Sequence, residues 1–230
     1  MLAMAMPIAF VGVMHATRWR NRLLYGLAAC LLLAAAISTY RKTAFLAPIS
    51  VLLTLAFFRR RELLKLAPLA VIAVIAVHAL SPGALGAITD QLQGNRLAGA
   101  QTVNDRTSDY DAIRPDVWSH LALGRGFGSY EQTKYRILDS EILHRLVEVG
   151  VIGLAAYLSM MVAVVLAVNR TIRGRDPDLA PLALAAAGAA VAYLTVSTLF
   201  DALSFPHTPY IFLTFAAFAA VIIKPPVEDT

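Results

Sequence analysis

Four groups of residues in this chain have the types and spacing to do chemistry, and all of them could handle anions or hydroxyl groups. Arg41 and Lys42 sit in the short connection 38–43 between two apolar runs, against the charge bias of the other short connections. A basic side chain costs about 2.5–3.5 kcal/mol at a bilayer centre and less toward its surface. The pair therefore either snorkels from a helix end or lines a cationic pocket suited to a phosphate or pyrophosphate. In 104–118, Arg106 and Arg114 are candidate anion ligands, and Asp105, Asp109, Asp111 and Asp116 alternatively neutralise them as solvated ion pairs. These acids form no Asp-x-Asp-x-Asp-Gly series and the chain has no His-x-x-x-His pair, so no metal site is expected.

The third group is Gly124-Arg125-Gly126-Phe127-Gly128. It lacks the sixth-position glycine and the βαβ frame of a dinucleotide loop. Its glycines instead suit a tight turn whose backbone comes close to a ligand or another helix. Phe127, Tyr130 and Tyr135 beside it either stack on sugar rings or pack the loop onto the membrane. The fourth group runs through 134–150. From Asp139 onward a 3.6-residue period puts Glu141, His144 or Arg145, and Glu148 on one stripe, with Ile142, Leu143, Leu146 and Val149 on the apolar side. Ionisable groups on a helix entering a membrane face the bundle interior or a water-filled cavity, and are functional suspects. The plainer reading makes Asp139 a helix N-cap and Glu141–Arg145 an ordinary pair four residues apart.

The elements that must position these groups are membrane helices. Hydrophobic residues make up 58% of the chain and charged residues 15%, whereas soluble domains have about 25% charged. Apolar runs near 2–14, 23–37, 44–58, 66–80, 146–168, 179–200 and 208–223 predict an all-α, polytopic integral membrane bundle of about seven spans. Residues 1–80 would hold four spans, 81–142 one large extracytoplasmic loop carrying the candidate site, and 143–230 the last three spans. Arg18, Arg20, Arg22, Arg59, Arg60, Arg61, Lys65, Arg170, Arg173, Arg175 and Lys224 then share the cytoplasmic side. The net charge of +5 is largely this topogenic arginine and implies no nucleic acid partner. Cys30 is alone, which excludes a disulfide within the chain and leaves a small core hydrophobe. The alanine-rich stretch 180–192 reads as a helix packed closely through small side chains. The abrupt apolar start, without a basic leader, reads as the C-terminal part of something longer.

The order of these elements resembles the O-antigen ligase and polymerase family. Its C-terminal part typically reads Arg, a spacer, His-Pro-x-x-Gly-x-Gly-x-Gly, then a polar pair opening a helix that ends Leu-Val-Glu-x-Gly-x-Ile-Gly-Leu. Here the corresponding residues are Arg106-Thr107, His120 to Gly128, Leu138-Asp139-Ser140-Glu141, and Leu146-Val147-Glu148-Val149-Gly150-Val151-Ile152-Gly153-Leu154. Thr39-Tyr40-Arg41-Lys42-Thr43 resembles the family's Ser-x-Ser-Arg-Gly/Thr element. The resemblance covers about half of the chain. Leu121 stands where proline is usual, and Asp139-Ser140 where many ligases have His-Asn. The resemblance implies a GT-C-like glycosyltransferase in the plasma (inner) membrane. It would transfer or polymerise glycan on the outer face, from a polyprenyl-pyrophosphate donor to a saccharide or lipid-linked acceptor, without cofactor or metal. Arg41 and Arg106, with Arg136 or Arg145 next, would then bind the pyrophosphate and stabilise its developing charge. Asp139 or Glu141 would orient or deprotonate the acceptor hydroxyl, and Phe127 and Tyr130 would hold sugars. Two other classes remain: a polysaccharide transporter or flippase, which lacks its usual paired broken helices here, and a non-catalytic C-terminal fragment of a longer polymerase.

Overall fold

The computed structural model describes residues 2–37, 43–66, 109–131, 134–135, 138, 140–174, 176 and 178–223, together with Val71 and Ile75. Within them the chain is helical and contains no strand. The helices are α1 (Leu2–His15), α2 (Trp19–Ile37), α3 (Thr43–Leu63, followed by a 3-10 turn Leu64–Leu66), α4 over 109–119, α5 (Glu141–Gly174), α6 (Leu179–Leu199) and α7 (His207–Ile222).

Composition decides which helix lies at the centre. α6 is apolar around its whole circumference and rich in alanine, so no face of it prefers water. It packs against α1, α3, α5 and α7, and Ala183, Ala186, Ala187, Ala189, Ala190 and Ala192 have no exposed surface. Small side chains let neighbouring backbones come close. A Cβ built on Gly188 would stand 3.1 Å from Cβ of Pro7 in α1. The close packing expected of the alanine-rich stretch is thus observed. Around α6, Met4, Met6, Phe10, Val51, Leu55, Phe212 and Phe215 complete one core.

Hydroxyl groups in this apolar setting find partners nearby. Thr54, Thr195 and Thr214 each donate to the carbonyl four residues back, on their own helix. Between α5 and α6, Tyr157 Oη donates to Tyr193 Oη at 3.1 Å and lies 3.0 Å from Ser197 Oγ. The Tyr193 ring stacks on Phe212 of α7, with centroids 4.6 Å apart.

α5 and α6, of 34 and 21 residues, are long and apolar enough to cross a membrane. Only 17% of the apolar window of α5 is buried, against 67% for α6, which puts α5 on the perimeter. α1 and α7 are apolar but have 14 and 16 residues, fewer than the about 20 that a span takes. Arg20 and Arg22 lie within α2, and Arg59, Arg60 and Arg61 within α3. The run expected at 66–80 lies outside the described residues, Leu66, Val71 and Ile75 excepted, as does 81–108 of the loop.

Replacing Gly188 by leucine should lower stability by about 1–3 kcal/mol, because the rigid Pro7 ring and the Val51 side chain leave no room for the added volume. Leu166→Ala, on the exposed face of α5, should change it by no more than about 0.5 kcal/mol. Thermal unfolding of the detergent-solubilised protein, followed by circular dichroism, compares the two.

Candidate functional site

The site begins with a broken helix. In a continuous α5, Val151 N–H would donate to Val147 O, and Ile152 N–H to Glu148 O. Gly150 instead adopts φ 64°, ψ −170° and interrupts the ladder. The glycine-containing loop after α4 takes over the released groups. Val151 N–H donates to Leu121 O at 2.9 Å and Ile152 N–H to Ala122 O at 3.2 Å, while Arg125 N–H donates to Val147 O at 3.0 Å and Gly126 N–H to Glu148 O at 2.9 Å. Each such group would cost about 1–3 kcal/mol if left buried without a partner. The approach leaves no space for side chains. A Cβ on Gly124 would lie 2.3 Å from Glu148 O, and one on Gly150 2.4 Å from Ala122 O.

Below this clamp, the polar stripe of α5 is its buried face. Glu141 has 0% exposure, Glu148 2% and Arg145 7%. Arg145 bridges both acids, with Nε 2.6 Å from Glu141 Oε1 and Nη1 2.8 Å from Glu148 Oε2. The other Glu141 oxygen accepts the Leu203 N–H at 2.9 Å, which ties the head of α5 to the α6–α7 connection. His144 lies between two acids, with Nε2 3.3 Å from Glu148 Oε1 and Nδ1 3.4 Å from Asp201 Oδ2. Both ring nitrogens face carboxylates, and the contact to Asp201 has the geometry of a hydrogen bond. Ser204 Oγ donates to the same Asp201 oxygen. Burial alone would raise the Asp201 carboxyl, but hydrogen bonding by His144, Glu141 and Ser204 outweighs it and holds the group below the usual carboxylate range.

The loop closes over the cluster. The Phe127 ring covers the Arg145 guanidinium at 4.9 Å, yet the residue is 77% exposed, so its other face is open. Tyr130 is turned inward: its N–H donates to Glu148 Oε1 at 3.3 Å, and its ring stacks on Tyr135 at 4.9 Å. Arg125 holds α4 to the loop, with Nη1 3.1 Å from Asp116 Oδ2 and Nη2 donating to Tyr135 Oη at 2.7 Å. Ile113, Tyr130, Leu138, Leu143 and Val147 make a small apolar cluster beneath it.

Of the expected site residues, Glu141, Arg145, Phe127 and Tyr130 come together here, whereas Arg41, Arg106, Arg136 and Asp139 lie outside the described residues. Glu141 and Arg145 do pair, and Glu148 makes the pair a triad. The link from His144 to Asp201 spans 57 residues; the position of Asp201 in the turn before the last helix was its only signal in the sequence. No group of three or more histidine, cysteine, aspartate or glutamate side chains suited to a metal ion occurs among the described residues. Comparison with known proteins finds no matching family model and no matching curated protein.

Gly150→Ala should destabilise the protein by roughly 2–4 kcal/mol, combining a left-handed backbone with a collision against Ala122. Gly174→Ala, where nothing lies within 4 Å of the added Cβ, should leave the melting temperature unchanged or raise it slightly. A carboxyl depressed by folding contributes stability above its unfolded value of about 3.9, and that contribution fades as pH falls toward the folded value. The melting temperature should therefore drop as pH is lowered below about 4. Asp201→Asn should flatten that slope and lower the melting temperature at neutral pH, as melts across a pH series would record.

Proposed function

We propose that this chain is a multi-pass plasma-membrane protein, a GT-C-like bundle of about seven spans, which transfers or polymerises glycan from a polyprenyl-pyrophosphate donor at the extracytoplasmic surface. One observation carries the reading: a polar stripe is built into the bundle interior at the head of the longest helix, at the opposite end from Arg18, Arg20, Arg22 and Arg59. Arg59 at the far end of α3 donates to Ile172 O near the end of α5, 2.6 Å away, and Arg18, Arg20 and Arg22 lie where α1 turns into α2. The positive-inside rule makes that end cytoplasmic and turns the clamped loop outward.

In the reaction, the acceptor hydroxyl oxygen attacks the anomeric carbon and the bond from that carbon to the pyrophosphate oxygen breaks. The acceptor proton passes to Asp139, and the departing pyrophosphate is stabilised by Arg41, Arg106 and Arg136. Both Glu141 oxygens and two Arg145 nitrogens are already engaged. They act as positioning residues that set the head of α5, from which Asp139 is only two residues away. The open face of Phe127 offers a stacking surface for a sugar of the donor or the saccharide acceptor, and Tyr130 supports the loop from inside.

Arg106→Ala and Asp139→Asn should each lower polymer or ligated product by about 10²–10³-fold in a membrane glycan-assembly assay, with helical content unchanged and the lipid-linked donor still reachable from the outer face. Unaltered product length and amount would remove the transferase reading. A donor retained at the inner face would favour a flippase instead.

A further inference from the structure

At the arginine-rich end, far from the clamp, lies a groove of about 510 Å³ between α1, the start of α2, the start of α6 and α7. That is the size of a small-molecule site, about 300–1,000 Å³. Its walls are apolar and include Ile8, Val11, Tyr25, Leu182, Phe215 and Phe218. Its polar residues, His15, Thr17 and Asn21, come from the end of α1 and the turn into α2. Exposed Arg18 adjoins Thr17, and exposed Arg20 adjoins Asn21. The first turn of α2 opens there as well. Its leading N–H groups have no acceptor within the helix, and its dipole attracts negative charge. The nearby acid, Glu62, lies 3.1 Å from His15 Nε2 and 3.8 Å from Arg59 Nη1, and the Arg59 charge offsets its own.

An apolar slot with a cationic mouth at the level of a cytoplasmic headgroup layer matches one ligand chemistry, an anionic amphiphile. We propose that the groove seats an acyl chain of an anionic phospholipid from the inner leaflet, with its phosphate held at the α2 N-terminus by Arg18 and Arg20. The site depends on the chain residing in a bilayer, and is independent of glycan transfer.

Native mass spectrometry of the full chain in detergent tests this with phosphatidylglycerol, phosphatidylcholine of the same acyl chains, and glycerol phosphate as the headgroup alone. One phosphatidylglycerol should remain bound per chain, with neither of the other two competing. The double variant Arg18→Ala/Arg20→Ala should weaken it by about fivefold per arginine. Leu182→Trp, which fills the slot without changing charge, should also weaken it. Arg60→Ala/Arg61→Ala removes the same charge at the same end, away from the groove, and should leave binding intact. Circular dichroism verifies that each variant is folded. Equal binding of the two phospholipids, an equal loss in both double variants, or no retained lipid because the chain itself fills the slot would each overturn the proposal.

Discussion

Everything at the polar end of this bundle depends on an exchange of backbone hydrogen bonds at Gly150. A helix that breaks beside a closely packed loop must find new partners for its released amides and carbonyls, because a buried backbone group left unpaired is costly. The loop from Leu121 to Gly126 satisfies two donors and two acceptors at once. With the loop backbone fixed there, Phe127 lies across Arg145, and Tyr130 N–H reaches Glu148. A single interrupted turn thereby sets the loop, α4 and the head of α5 relative to one another.

The cluster beneath is costly by the same physics. Among the described residues, Glu141, Glu148 and Asp201 lie against Arg145 and His144, all with little exposure. Buried ion pairs seldom exceed an apolar substitute in stability, while removing one member costs about 3–5 kcal/mol. The cluster therefore selects one arrangement of α5 against the α6–α7 connection more than it strengthens the fold.

Much of this was legible in the chain, and the limits of legibility have a physical cause. Local periodicity announced the polar stripe of α5, since its members lie three or four residues apart, and apolar length announced α5 and α6. The glycine spacing announced a close backbone approach, but not that Gly150 was on the other side of it, because the partner is set by tertiary docking. His144 and Asp201 are paired only by the packing of α5 on α6 and the turn after it. α1 and α7, of 14 and 16 residues, match the lengths of their apolar runs, which fall short of the about 20 residues that a span takes. The anion-binding expectations at Arg41, Arg106, Arg136 and Asp139 fall on residues outside the described structure.

The hydroxyl trio of Tyr157, Tyr193 and Ser197 constrains how the broken helix can move. Sliding α5 along α6 by one residue, about 1.5 Å, or rotating it about its axis, would part three hydroxyls from these partners in an apolar setting. From Gly150 to its C-terminal end the helix is thus pinned against piston and roller motions alike. Any rearrangement of the polar end is left with one mode, a tilting of the short segment that precedes the break, with the glycine as its pivot.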